Sequence, residues 1–277
     1  VGKRGLREDG TKHDRRPDNN SEAEIRPSFH KRHEMSNPII RNIPNAITCC
    51  NLISGCIATG YAFAFDARMA LVWIITGAAF DFFDGMSARI LHVSSPIGKE
   101  LDSLADDITF GFAPSAIVFS QLCVMDYPPF LEPARAVLPF MAFIMAAFSA
   151  LRLAKFNLDE RQTTSFIGMP TPANALFWGS LIATQSRWME SSPWMSCVLI
   201  MLVALCCWLL VAELPMFAFK FKQWGWKGNE IKYIFMALCV AIIAWSGFIG
   251  SFCLIIPLYV IISLFTQSAK TDGSKNN

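Results

Sequence analysis

Residues 80–114 read FDFFDGMSARILHVSSPIGKELDSLADDITFGFAP and join two long apolar runs. Four of the five aspartates in this stretch form two pairs, one at the end of the first run and one at the start of the next: Asp81, Asp84, Asp102 and Asp106. Spacings of three and four residues put each pair on one face of a helix. Because the joining segment is short, we expect the helices to be antiparallel neighbours whose acidic faces converge.

The rest of the chain is dominated by apolar runs. Of 277 residues, 53% are hydrophobic and 17% are charged, against roughly a quarter charged in soluble domains. Each run is near the ~20 residues that a helix needs to cross a bilayer. The sequence therefore predicts an all-α, polytopic membrane helical bundle with about eight transmembrane helices, or seven if the last two runs, which are separated only by a glycine-containing segment, form one helix. The predicted spans are residues 46–66, 68–90, 100–124, 134–156, 171–186, 194–214, 230–247 and 250–267.

Residues 1–34 differ from everything that follows. They are polar, mixed in charge and poor in large aliphatic residues, so we expect a disordered N-terminal tail. Met35 stands shortly before the first apolar run, and we hypothesise that the biological start is there, with a membrane domain over residues 35–277. The net charge of only +2 gives no broad field for a polyanion, so no nucleic-acid partner is expected.

Basic residues are unevenly distributed between the predicted loops. One set of loops and the C-terminus hold most of the lysines and arginines, including Arg89 and Lys99, while the other set holds few. By the positive-inside rule, we expect both termini and the acidic stretch to face the cytoplasm, with the protein in the cell (inner) membrane.

Clustered carboxylates at a membrane boundary repel one another, and three remedies are open: protonation, pairing with bases, or binding of hard cations. Oxygen ligands favour Mg²⁺, Mn²⁺ or Ca²⁺, and two such ions would clamp phosphate oxygens. Gly85 and Gly98 allow close approach of a ligand, and Ala88 keeps the same surface shallow. Arg89 either pairs with a phosphate or merely follows the positive-inside bias.

The spacing Asp81-x2-Asp84-Gly85-x2-Ala88-Arg89-x8-Gly98-x3-Asp102-x3-Asp106 resembles the signature of the CDP-alcohol phosphatidyltransferase family. In that family a hydroxyl attacks the β-phosphorus of a CDP-activated lipid and CMP leaves. The resemblance implies that the four aspartates hold metal, two Mg²⁺ or Mn²⁺ ions, and that Asp106 is the catalytic base. It also implies a homodimer and a CDP-lipid site lined by Gly85, Ala88, Arg89 and Gly98.

Segments around the signature resemble the integral-membrane phosphatidylserine synthases of bacteria and archaea: PNAITCCNLISG, ELDSLADDITFGFAPS, SALRLAKFN and SFIGMPTPANA. This implies that the substrates are CDP-diacylglycerol and L-serine and the products phosphatidylserine and CMP. The chain departs from that pattern with Thr109, Lys155 and Met169, where serine, arginine and leucine are usual. Lys155 lacks the guanidinium fork that binds a carboxylate with two hydrogen bonds.

Arg152 and Lys155 end the fourth run, where they are candidates to bind the carboxylate of serine, and Asn157 is a candidate for its ammonium or hydroxyl. An ordinary basic inner loop explains these residues equally well. Thr48 and Asn51 on the first run either reach the cytosine or make hydrogen bonds between helices.

Two alternatives differ from the serine reaction. One keeps the chemistry and uses glycerol 3-phosphate, inositol phosphate or choline as the acceptor. The other is a cation transporter, which is disfavoured because the last three runs are almost entirely apolar apart from Glu213.

Overall fold

The computed structural model describes residues 38–93, 95–158, 166–216 and 229–275, so the predicted tail at 1–34 lies outside it. Eight α-helices make up most of this part, and the predicted all-α class is confirmed. They are α1 (Pro38–Phe63), α2 (Ala67–Ile90), α3 (Pro96–Asp106), α4 (Ala113–Val124), α5 (Ile144–Leu158), α6 (Thr171–Met189), α7 (Trp194–Val211) and α8 (Glu230–Lys275).

The connecting segments include short elements of other kinds. A π-helix at Asp107–Phe112 joins α3 to α4 without a break, and 3₁₀ turns at Glu132–Ala134 and Leu138–Phe143 precede α5. Two-residue strands, β1 (Phe166–Ile167) and β2 (Pro215–Met216), pair antiparallel and link the segment after α5 to the segment after α7.

Six helical segments of the described part are long and apolar enough to cross a membrane. The chain is therefore an integral membrane protein, but the predicted count of about eight spans is not confirmed. The six candidates are Asn42–Phe63, Ala67–Ile90, Pro96–Val124, Leu138–Leu158, Trp194–Val211 and Glu230–Leu264.

The fifth predicted span corresponds to α6, which is not among the six candidates. It nevertheless lies against α2, α4 and α8. Towards its C-terminal end, the Ala183 carbonyl accepts from Arg68 Nε (3.3 Å) and Glu190 Oε1 accepts from Gln121 Nε2 (3.0 Å). Because α6 is surrounded by other helices, it carries buried polar residues such as Asn174, which make it less apolar than a lipid-facing span.

The seventh and eighth predicted spans fall within α8, whose backbone breaks at Gly247 with φ 73° and ψ 167°. The rings of Phe235 and Tyr259 nevertheless lie only 6.1 Å apart. In a straight helix, residues this far apart in sequence would be separated by roughly 36 Å. The helix therefore folds back at Gly247, where a positive φ suits glycine, and its two arms lie side by side.

Helix α1 packs along α2 and also contacts α3, the π-helix and α4. Close approach depends on two glycines that receive the Thr109 side chain. A Cβ at Gly55 would lie 2.8 Å from Thr109 Cα, and a Cβ at Gly77 would lie 2.6 Å from Thr109 Cγ2. Thr109 Oγ1 also donates to the Asn51 carbonyl (3.0 Å). These contacts fix the π-helix against α1 and α2.

Gly55→Ala is expected to lower the stability of the protein by about 1–3 kcal/mol, because the new methyl group meets the Thr109 backbone. Gly60→Ala on the same helix is the matched control, since a Cβ there meets nothing within 4 Å and alanine favours the helix. Thermal unfolding of both variants in detergent measures the difference. Equal melting temperatures for the two variants would contradict this packing.

Candidate active site

Three of the four predicted aspartates meet at one place. Asp81 from α2 and Asp102 and Asp106 from α3 each offer a carboxylate oxygen, and these oxygens all lie within 4.8 Å of one another. We call these three residues the aspartate cluster. Two expectations from the spacing are therefore confirmed. The two acids of α3 lie on one face of that helix, and α2 and α3 converge at their acidic ends.

Local sequence fixes where α3 begins, and hence where its acids lie. Ser95 precedes the helix, its Oγ accepts from the Gly98 backbone N–H (2.9 Å), and Pro96 occupies the first turn. Serine before proline is a strong helix-start signal. His92, with a positive φ of 51°, helps to reverse the chain between α2 and α3.

Asp84 lies outside the aspartate cluster. It is only 6% exposed, and Thr48 Oγ1 on α1 donates to its Oδ2 at 2.6 Å. The sequence left two roles open for Thr48, contact with the cytosine or a hydrogen bond between helices. The structure shows the hydrogen bond between helices. A buried carboxylate needs such a partner, because leaving it unpaired is costly.

Asn51, one turn further along α1, supports Asp106 in the same way. Its Nδ2 donates to Asp106 Oδ1 at 3.1 Å, and the side chain is fully buried. Helix α1 thus holds one acid of each pair, Asp84 through Thr48 and Asp106 through Asn51.

A cavity of ≈260 Å³ opens beside these acids. It brings together Asp84 and Asp102 with most of the residues predicted to bind the CDP-lipid, namely Thr48, Gly85, Ala88 and Gly98. Asn45, Ser95 and Lys99 also line it, and sequence reasoning assigned the first two no role. The Ser-Pro helix start could have identified Ser95, whereas nothing in the sequence alone distinguishes Asn45.

The glycines on the two sides of the cavity have different surroundings. A Cβ at Gly98 would lie 2.8 Å from Asn45 Oδ1, so this glycine lets α1 and α3 approach closely. A Cβ at Gly85 would meet only Arg89 Nη2, at 3.9 Å. Arg89 does not line the cavity; it is exposed, with its guanidinium near Gly85.

The three predicted acceptor residues on α5 have separate environments. Arg152 is 8% exposed, with its guanidinium 5.9 Å from the Phe156 ring centre. Lys155 is exposed. Asn157 ties α5 to α3, because its Nδ2 donates to Ser103 Oγ (2.7 Å) and its carbonyl accepts from Lys99 Nζ (3.2 Å).

The aspartate cluster fits a bound divalent cation. Its donors are oxygens only, and Asp102 Oδ1 is buried without a hydrogen-bond partner among the described residues. A cation at this point would offset the repulsion between the carboxylates and occupy the free acceptor. The structure therefore contains a candidate metal site, formed by Asp81, Asp102 and Asp106.

Comparison with known proteins identifies the class to which this site belongs. A sequence model of the CDP-alcohol phosphatidyltransferase family matches residues 41–245. The chain belongs to this family, whose members are metal-dependent transferases, and the predicted resemblance is confirmed.

Several curated relatives share one name, CDP-diacylglycerol–serine O-phosphatidyltransferase. The protein of Bacillus subtilis is 40% identical over 134 residues, which is 47% of this chain and 69% of the relative. That of Helicobacter pylori (strain 26695) is 28% identical over 237 residues, covering 84% of this chain and 95% of the relative. That of Methanocaldococcus jannaschii is 28% identical over 225 residues, covering 80% and 94%.

Mn²⁺ is expected to raise the melting temperature of the purified protein. At a concentration 100 times Kd, bound metal adds about 2.7 kcal/mol to the free energy of unfolding. Asp81→Asn should remove this response and raise the melting temperature without metal, because one repelling charge is lost. Asp126→Asn makes the same change at an exposed position and should respond as the parent protein does. A full Mn²⁺ response in Asp81→Asn would exclude Asp81 as a ligand.

Proposed function

We propose that this protein transfers the phosphatidyl group of CDP-diacylglycerol to L-serine, giving phosphatidylserine and CMP. The observation that carries the proposal is the convergence of Asp81, Asp102 and Asp106 beside the cavity lined by Thr48 and Gly98. Family membership defines the reaction type. The shared name of the relatives from two bacteria and an archaeon supports serine as the acceptor.

The proposed metal ligands are Asp81, Asp84, Asp102 and Asp106, which would hold two Mg²⁺ or Mn²⁺ ions. When bound, the divalent ions would neutralise the negative charge of the diphosphate and the charge that develops on the departing CMP. Asp84 joins this set because it lines the same cavity as Asp102. Thr48 donates to Oδ2 of Asp84, and the other carboxylate oxygen, Oδ1, is the proposed metal ligand.

Asp106 is the proposed catalytic base. The Asn51 amide holds one of its oxygens, so the carboxylate is oriented before substrate arrives. The proton of the serine hydroxyl passes to Asp106 as the hydroxyl oxygen bonds to the β-phosphorus. The bond from that phosphorus to the CMP oxygen breaks, and CMP departs with the electron pair. No serine, cysteine or histidine stands out in the sequence as an activated nucleophile, and the described residues that line the cavity include no cysteine or histidine. Both observations favour direct displacement.

The CDP group is proposed to occupy the cavity, where small residues leave space for it. Gly85, Ala88 and Gly98 form its shallow surface, and Thr48 lies beside them. Arg89, whose guanidinium lies near Gly85, is placed to pair with the diphosphate. The lipid tails would remain in the bilayer while the nucleotide lies at its edge.

The proposed acceptor residues are on α5. Arg152 is buried on α5, which packs against the π-helix that follows Asp106, and its guanidinium is the proposed partner of the carboxylate of serine. Asn157 holds α5 against α3 next to the same region, and its amide is a candidate contact for the ammonium or hydroxyl. Lys155 is exposed on the same helix and is proposed to attract the carboxylate of serine.

The proposed location is the cell (inner) membrane, with the active site and both termini on the cytoplasmic side. This orientation is supported by the positive-inside rule, because the loops on the site side and the C-terminus carry eleven lysines and arginines in the sequence, Arg89, Lys99, Arg152 and Lys155 among them, while the other loops carry only Arg68, Arg135 and Arg187. Cytosolic serine and CDP-lipid would then meet at the inner leaflet. A homodimer is proposed on the family resemblance.

The acceptor panel tests the serine assignment. The purified protein with CDP-diacylglycerol and Mn²⁺ or Mg²⁺ is expected to release CMP with L-serine, and to release little with glycerol 3-phosphate, inositol phosphate or choline. A chelator should abolish release, because the aspartate cluster would lose its cation. Turnover that prefers glycerol 3-phosphate would keep the family chemistry and overturn the serine assignment.

Asp106→Asn tests the proposed base. The variant keeps the shape of the side chain but cannot accept a proton, so CMP release should fall by at least ~10²-fold while binding of CDP-diacylglycerol is retained. CMP release and lipid binding are measured on the same preparation, with Asp126→Asn as the exposed control. Near-normal turnover of Asp106→Asn would remove Asp106 from this role.

A further inference from the structure

Several buried polar atoms without a partner lie on the π-helix that directly follows Asp106 and on the helices that this π-helix contacts. Such atoms are rare in proteins, and each one calls for an explanation. Within the described residues, several lie on the π-helix, on α5 and at the start of α6. The π-helix contacts both α5 and α6. The unpartnered atoms are Asp107 Oδ1, Ser149 Oγ, Arg152 Nε, Thr171 Oγ1 and Asn174 Nδ2.

Asp107 and Ser149 face the same point on the π-helix. A Cβ added at Gly111 would lie 2.6 Å from Asp107 Oδ1 and 3.4 Å from Ser149 Oγ. The two oxygens are therefore no more than about 6 Å apart, which is close to twice the length of one N–H···O hydrogen bond. Ser149 is fully buried, so its hydroxyl is directed into the protein interior and away from lipid.

Arg152 supplies the opposite charge on the same surface. It follows Ser149 by three residues on α5, a spacing that puts both side chains on one helical face. Its Nε is buried and has no partner among the described residues. A carboxylate, a hydroxyl and a guanidinium on the π-helix and α5 thus keep donors and acceptors open, and Asp107 directly follows the proposed base in the chain.

We propose that Asp107, Ser149 and Arg152 form the pocket that recognises the zwitterion of the acceptor, which deepens the function proposed above and rests on it. Asp107 and Ser149 accept hydrogen bonds from the ammonium, Arg152 donates to the carboxylate, and the hydroxyl is left to face Asp106. We name these three residues the zwitterion pocket. Asp107 is outside the family signature, so the signature alone does not identify it.

This arrangement has a consequence for specificity. A hydroxy acid without an ammonium leaves Asp107 unpaired and meets its negative charge. An amino alcohol without a carboxylate leaves the Arg152 guanidinium unpaired. Discrimination by buried polar groups is strong, because the wrong ligand leaves them without partners. Phosphorylated polyols, which carry no amine, are rejected by the same charge on Asp107.

The test compares Asp107→Asn with the parent protein as purified full chain. CMP release is measured with L-serine and with 3-hydroxypropanoate, which keeps the hydroxyl and the carboxylate but lacks the ammonium. We expect kcat/KM for serine to fall about tenfold or more, and the preference for serine over 3-hydroxypropanoate to shrink. The KM for CDP-diacylglycerol and the divalent-cation requirement should not change. Arg152→Gln should instead reduce the preference for serine over ethanolamine.

Each outcome separates the pocket from the function on which it rests. A parent protein that releases no CMP with serine overturns the function itself. Serine-dependent release with an unchanged KM and preference in Asp107→Asn overturns the pocket alone, as does a changed cation requirement in that variant. Melting temperature and CDP-diacylglycerol binding show whether the variant is folded, with Asp126→Asn as control. If Asp107→Asn does not fold, Ser149→Ala is the test, and an unchanged serine KM in it overturns the pocket.

Discussion

Asp81, Asp102 and Asp106 repel one another, because their carboxylate oxygens lie within 4.8 Å of one another. This repulsion is the constraint that the surrounding structure has to offset. Carboxylates at the edge of a membrane-spanning bundle remain close only if packing holds them together and protonation, a base or a cation offsets their charge. The two helices that carry them are joined by a short turn and pressed against α1. The same arrangement that opposes stability forms a candidate site for a hard cation, which in our proposal attracts the diphosphate.

Helix α1 contributes no acid to the site, yet it determines where the acids lie. Thr48 and Asn51, close together on one helix, donate to Asp84 and Asp106. Close contact at Gly55 lets the π-helix, which directly follows Asp106, lie against α1. A π-helix adds a residue to the turn and is frequent at functional sites. Here the π-helix begins between two consecutive residues, Asp106 and Asp107, to which our proposal gives different roles.

Much of the site follows from sequence because helical periodicity is simple. Spacings of three and four residues predicted the convergence of α2 with α3, but periodicity cannot show that Asp84 accepts a hydrogen bond from Thr48 and lies outside the aspartate cluster. The membrane topology was less predictable, because α6 is polar where other helices surround it, and hydropathy reports lipid exposure better than passage through the bundle. The fold-back of α8 depends on the backbone of Gly247, which sequence marks only as a glycine between two apolar runs.

The most direct test of the site is to locate its cation. A crystal structure of the protein grown with Mn²⁺ and a CDP-containing ligand, with anomalous scattering recorded from the manganese, shows where the ion lies. We predict an anomalous peak within coordinating distance of Asp81, Asp102 and Asp106, with the diphosphate beside it. A bound nucleotide with no peak at these carboxylates, or with the metal elsewhere in the bundle, would contradict the site described here.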